Sequence, residues 1–115
     1  MAAIFATPRG AQMLAALESR RFLFFFKTAF VVDLRVSNNA YAYPGGNAVY
    51  IDPSFHPVIQ TTSGPIPATT QRIIAHELGH AVFSMADTGP GRMINVNINE
   101  NPIMNSLGQP SRTRY

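Results

Sequence analysis

Residues 76–80 read His-Glu-Leu-Gly-His, an H-E-x-x-H run whose chemistry depends on its being helical. Each helical residue advances about 100°, so His76 and His80 project from one face about 40° apart. Their imidazoles can then share one zinc ion at about 2.0–2.1 Å. Glu77 leaves from the neighbouring position on that side, where a carboxylate can hold and deprotonate a zinc-bound water. The reaction this spells is zinc-assisted hydrolysis.

A catalytic zinc takes three protein ligands and leaves a position open for water. The chain has no Cys, and His56 is its one histidine outside the run. The remaining acids are Glu18, Asp33, Asp52, Asp87 and Glu100. The extended pattern H-E-x-x-H-x-x-G-x-x-H/D wants glycine at 83 and a ligand at 86, where this chain has Phe83 and Ala86. That class is therefore excluded, and Asp87 falls one residue late, where the helix should be ending. Glu100 follows His80 after 19 intervening residues, in Asn99-Glu100-Asn101-Pro102. Pro102 suits the start of a second short helix, about 101–107. The spacing resembles the gluzincin arrangement, in which a glutamate on a following helix closes the site. Glu100 is the leading third ligand, with Asp87 and His56 behind it. A carboxylate favouring a helix N-terminus is the structural alternative for Glu100.

These residues need a helix anchored on one side and open on the other. With His76 at zero, His80, Ile73, Ser84 and Glu77 fall between about 40° and 100°. Ala81, Ile74, Met85, Leu78, Val82 and Ala75 fall between about 140° and 260°. The apolar and metal-competent stripes thus lie on opposite faces. Pro65, Pro67 and the Thr69-Thr70 pair suit the entrance, and Asp87-Thr88-Gly89-Pro90-Gly91 the exit, which predicts a helix over about 67–86. Gly79 in its middle costs about 1 kcal/mol relative to Ala, which implies close approach of another segment or of substrate.

Elsewhere, residues 1–20 read as a helix with Thr7-Pro8 at its entrance and Met13, Leu14 and Leu17 as its stripe. Phe22–Phe26 continues it into the core or forms a buried strand. Residues 30–36 and 48–52 read as strands, the second expected antiparallel to the first. The 48–51 strand is the candidate edge strand for pairing with a substrate backbone. Residues 53–66 read as a loop. The expected fold is α+β: a small zincin-like domain with an N-terminal helix, a small antiparallel sheet, the zinc helix and a short C-terminal helix.

The 115 residues are expected to form a single domain over 1–115, and 46% apolar composition can supply its core. That is short for a protease and suits a fragment or the catalytic tip of a larger protein. The net charge of +3 comes from scattered residues without the interleaved aromatic-and-basic pattern of a nucleic-acid binder. No signal peptide is evident. The apolar stretch from Phe22 to Val32 is broken by Lys27 and is shorter than the roughly 20 residues that span a bilayer, so no membrane span is expected.

Taken together, Ile74–Ala81, Gly89–Met93, Asn95-Val96-Asn97, Asn99–Pro102 and Leu107–Tyr115, with Gly46-Asn47 and Ile51–Pro57 upstream, resemble a group of bacterial effector metallopeptidases. The pattern is similar to that of the C-terminal toxin domain of type VI secretion spike proteins of the VgrG type; NleD-like effectors are more distantly similar. The resemblance covers residues 40–115 well and the first 40 poorly. It implies one zinc held by His76, His80 and Glu100, with Glu77 as base. It further implies export by a contact-dependent secretion system, action in the target-cell periplasm, a parent spike protein and a cognate immunity protein. Relatives often carry a basic residue where this chain has Met104, so specificity is expected to differ.

The mechanism to expect is amide hydrolysis of a peptide, protein or peptidoglycan substrate. The oxyanion needs a donor besides zinc, and His56, Tyr115, Arg112 and Tyr50 are the candidates. Rival classes are a peptidoglycan amidase with the same site, a host-protein-cleaving effector protease, and a non-catalytic zinc-binding interaction module. An intact Glu77 argues against the last, because a structural site needs no base there.

Overall fold

The computed structural model describes residues 2–24 and 31–115, with the side chains of 2–19 and 31–115. Helices and a small sheet form an α+β arrangement. The expected first helix is broken into α1 (Ala2–Phe5) and α2 (Pro8–Phe24). Thr7 makes the break: its hydroxyl donates to the Ile4 carbonyl at 2.6 Å and accepts the Gly10 N–H at 3.0 Å, capping α2. Met13 is fully buried and Leu17 packs against the core, whereas Leu14 is exposed. Residues 22–24 continue α2; the remainder of the Phe22–Phe26 run and Phe30 lie outside the described residues. Among the described residues, no helix is long and apolar enough to cross a membrane.

The first sheet differs from the expected antiparallel pair. It is mixed, in the order β1 (Val31–Asp33), β3 (Ala48–Ile51), β2 (Ala40–Tyr41). β3 runs parallel to β1 and antiparallel to β2. The reason lies in burial. Val49 and Ile51 are both fully buried, so β3 takes the central position, and β2 reverses the chain before it. The strand expected at the edge is thus the middle one, and β2 is an edge.

Residues 53–66 also depart from the expected loop. Val58–Thr61 (β4) and Gly64–Pro67 (β5) form an antiparallel hairpin, with Ile59 opposite Ile66. Ile59 and Thr61 are buried while Val58 and Gln60 are exposed, a period-2 pattern legible in the sequence. Gly64 turns the hairpin at φ +91°, a conformation that glycine adopts without penalty. Pro65 and Pro67 therefore lie within a strand rather than open a helix. Near the chain's end, Thr113 N–H donates to the Gln60 carbonyl, and Arg112 bridges to Thr61, adding a short third rung.

The central helix α3 spans Thr70–Phe83. Its N-cap is Thr69, whose side chain accepts the Arg72 N–H at 3.1 Å. Ile74, Ala75, Leu78, Ala81 and Val82 are buried, as the wheel requires. Ser84 ends the helix in the left-handed region at φ 52°, with its N–H on the Gly79 carbonyl. A π-helical turn, Val96–Glu100, runs directly into α4 (Asn101–Ser106), close to the predicted 101–107. Ile103 and Met104 of α4 join Val49, Ile51, Ile59 and Leu78 in the core beneath α3.

Candidate metal centre

The α3 face opposite the core carries His76, Glu77 and His80, and the segments after it fold back over that face. Gly79 makes the return possible. A β-carbon there would lie 1.9 Å from Asn95 Oδ1 and 2.7 Å from Asn99 Nδ2, the close approach that its place in the helix implied. Asn95 Nδ2 donates to the His76 carbonyl at 3.0 Å, Asn99 donates to Asn95 at 2.8 Å, and Arg9 Nε donates to Asn99 at 2.9 Å. Asn95 and Asn99 are fully buried, and this chain of bonds locks the π-turn to α3.

The same turn delivers Glu100, which is 1% exposed. Its Oε1 accepts from His76 Nδ1 at 3.0 Å, and its Oε2 accepts from Arg72 Nη1 at 3.0 Å. Arg112 Nη1 reaches Oε1 at 3.4 Å. Burial would raise the Glu100 pKa, but His76, Arg112 and Arg72 outweigh it and lower it. Arg72 is nearly buried and also donates to the Pro110 carbonyl at 2.5 Å. It escaped the sequence reading, although it stands four residues before His76 and therefore on the same side of the helix.

Both imidazoles are oriented by their Nδ1 atoms. His80 Nδ1 bonds the Met85 carbonyl, and His76 Nδ1 bonds the Glu100 carboxylate. A carbonyl and a carboxylate only accept, so both Nδ1 atoms carry the hydrogen. In the neutral rings the lone pair is then on Nε2, and both Nε2 atoms point toward Asp87. His76 Nε2 lies 3.2 Å from Asp87 Oδ1, and His80 Nε2 lies 3.2 Å from Oδ2. One ligand atom from each of His76, His80 and Asp87 lies within 4.8 Å of the others. Asp87 Oδ1 is a buried oxygen with no hydrogen-bond partner and faces His76 Nε2, while Oδ2 faces His80 Nε2; two imidazoles and a carboxylate are a donor set that fits a cation.

Without a metal, protons and ion pairs occupy these groups. Burial disfavours charge on His76, but Asp87 and Glu100 prevail and raise its pKa to about 9. Burial likewise works against the Asp87 anion, yet His76 and Tyr115 hold its pKa down at about 2. A metal bound here would replace the His76 proton. Glu77 is 8% exposed, and burial raises its pKa against the pull of His76 and His80. A cleft of about 180 Å³ opens onto His76 and Glu77, walled by Phe55, Val58 and Ile59, with Arg112 and Tyr115 on its polar side.

The candidate oxyanion donors separate. Tyr115 donates to Asp87 Oδ2 at 2.5 Å, and Arg112 stacks over its ring at 5.0 Å. Burial and Asp87 raise the Tyr115 pKa to about 12, which keeps it a proton donor. His56 is exposed, with Nδ1 on the Ala68 carbonyl at 2.9 Å. Tyr50 stacks on Tyr41 at 4.8 Å, outside the residues that line the cleft.

Comparison with family models, curated proteins and solved structures gave no match.

Proposed function

We propose that this chain is a zinc-dependent metallopeptidase. What supports the reading is the pair of imidazoles four residues apart on α3, each held through Nδ1 so that Nε2 is presented, with Glu77 between them on the cleft. That is the arrangement in which ring nitrogens serve a metal while their other nitrogens are fixed from behind. His76, His80 and a carboxylate hold one ion. When bound, zinc supplies Lewis acidity to the scissile carbonyl and acidifies the attacking water.

The chain's own residues do the rest. Glu77 takes the water's proton and passes it to the leaving nitrogen, and its raised pKa suits it to both steps. Tyr115 and Arg112 line the same cleft as Glu77; Tyr115 gives its one O–H to Asp87, which leaves the Arg112 guanidinium as the donor for a developing oxyanion. By its resemblance to spike-linked effectors, the enzyme is an antibacterial toxin acting in the periplasm of a competitor, neutralised by an immunity protein that covers the cleft.

The test is expression in bacterial cytoplasm and periplasm, as wild type and as Glu77→Ala. The expected result is growth arrest and altered shape confined to the periplasm and abolished in the variant. Purified Glu77→Ala should bind zinc like the wild type and lose about 10²–10⁴-fold in amide hydrolysis. Toxicity that survives the substitution would replace hydrolysis with binding as the mode of action.

A further inference from the structure

We propose that the cleft beside His76 and Glu77 is a side-chain pocket, and that it selects a peptide substrate with one large apolar residue next to the scissile bond. The inference rests on the metallopeptidase reading above and names the substrate class its site accepts.

The cleft is one-sided. Among the described residues its lining includes His76 and Glu77 but neither His80 nor Asp87, so it leaves the metal centre on the His76 side. Two kinds of residue line it. Arg112 and Tyr115 give it a polar side, and Phe55, Pro57, Val58, Ile59, Ala68 and Ile73 an apolar one. A peptide carries the same division, a polar backbone and side chains that leave it.

The apolar side has a floor and a rim. Ile59, Ala68 and Ile73 are buried, whereas Pro57 is exposed and Val58 is 67% exposed. Single exposed apolar side chains are common, but this one is continuous with a buried apolar floor beside the general base. The rim is also held in place. Ala68 N–H donates to the Pro57 carbonyl at 2.8 Å, His56 Nδ1 donates to the Ala68 carbonyl at 2.9 Å, and Val58 lies opposite Pro67. Segment 56–58 is thus tied to 67–68 before substrate arrives, which lowers the ordering cost of binding. His56, the one histidine outside α3, positions this rim.

Size and charge narrow the occupant. The cleft measures about 180 Å³. A cavity of about 150 Å³ lined by apolar side chains takes up a benzene molecule, so the space suits one leucine, phenylalanine or methionine side chain. Ile59, Ala68 and Ile73 offer a charged group no side-chain partner, and burying charge unpaired is costly. Arg72 also reaches the cleft, but Glu100 and the Pro110 carbonyl engage it. Alanine would leave most of the space unfilled. A peptidoglycan cross-link, built from alanine and a charged diamino acid, therefore fits less well than a segment of protein.

Purified, zinc-loaded full chain tests this on a peptide library varied at one central position, with cuts read by mass spectrometry. Cleavage should fall next to leucine, phenylalanine or methionine. Alanine, aspartate or lysine in that place should lower kcat/KM by about 100-fold. Binding of the same peptides to Glu77→Ala, read by calorimetry, should follow the same order without turnover. Val58→Lys should fold and bind zinc as the wild type does, since Val58 is exposed. It should nevertheless lose about 10-fold on the leucine peptide and gain on the glutamate peptide. Cleavage or binding without the apolar preference, a preference unchanged in Val58→Lys, or turnover of purified peptidoglycan but not of peptides would overturn the pocket assignment and leave the zinc hydrolase standing. Hydrolysis of neither peptides nor peptidoglycan would overturn both.

Discussion

His76 and His80 are four residues apart on one helix yet are held by different means. Behind His76 stands a buried side-chain cluster, Glu100 with Arg72 and Arg112, assembled from three places in the sequence. Behind His80 stands a backbone carbonyl, that of Met85, five residues further along the same chain. The first anchor is electrostatic and long-range; the second is a consequence of where α3 stops. Substitution can therefore remove the first outright and can only deform the second. Most of the predictable sensitivity of this site should lie on the His76 side.

The largest effect is expected from Arg72→Met. The Arg72 and Glu100 side chains are 3% and 1% exposed, and removing one partner of a buried pair leaves an uncompensated charge costing about 3–5 kcal/mol. Arg112 reaches the same carboxylate but is more exposed, so the loss should fall near the lower figure. Met85→Leu, the corresponding change beside the His80 anchor, leaves the carbonyl in place and should cost under about 1.5 kcal/mol. Urea denaturation of the two variants measures the difference directly. Equal losses would mean that the anchors are not distinct.

Gly79→Ala tests the joint between the two halves. The added methyl would meet the Asn95 and Asn99 side chains, which are buried and bonded to each other and to the His76 carbonyl. They cannot retreat without breaking those bonds. The usual gain from replacing a helical glycine is about 1 kcal/mol, and overpacking of about 1–3 kcal/mol opposes it. Net destabilisation with weakened zinc binding is expected, read by thermal melting and metal titration. An increase in melting temperature would show that the π-turn yields easily and does not fix the site.

The His80 half was the more legible from sequence, because local spacing fixes it. H-E-x-x-H, the amphipathic stripe and the Asp87–Gly91 exit signals placed the helix, both histidines and Glu77 together, and Gly79 announced a close neighbour. The His76 anchor was not legible, since Arg72 and Arg112 meet Glu100 only through tertiary packing. The same holds for the sheet. Residues 48–51 read as a strand from their β-formers, but its central place depends on what covers Val49 and Ile51. The hairpin at 58–67 was masked by its prolines and glycine, although Val58–Thr61 alternates. Proline forfeits a ladder donor, and β5 carries two in four residues, so turn chemistry outweighed alternation.

The smallest expected effect belongs to Ser84, and it has the opposite sign. Ser84 holds φ 52° to end α3, a region costing about 1–2 kcal/mol for a residue with a β-carbon. Glycine relieves that cost but adds freedom to the unfolded chain, so Ser84→Gly should gain about 1 kcal/mol at most. For a domain of this size that is a rise of about 4 °C in Tm. Ser84→Val should lower it, because a β-branched residue tolerates positive φ poorly. If the His80 anchor is set by chain direction, glycine preserves it, and zinc affinity should be unchanged in Ser84→Gly while stability rises. If the serine side chain itself positions His80 and Asp87, stability and affinity should move in opposite directions: a higher Tm with weaker zinc. Measuring both on one variant separates a turn that carries the site from a side chain that does.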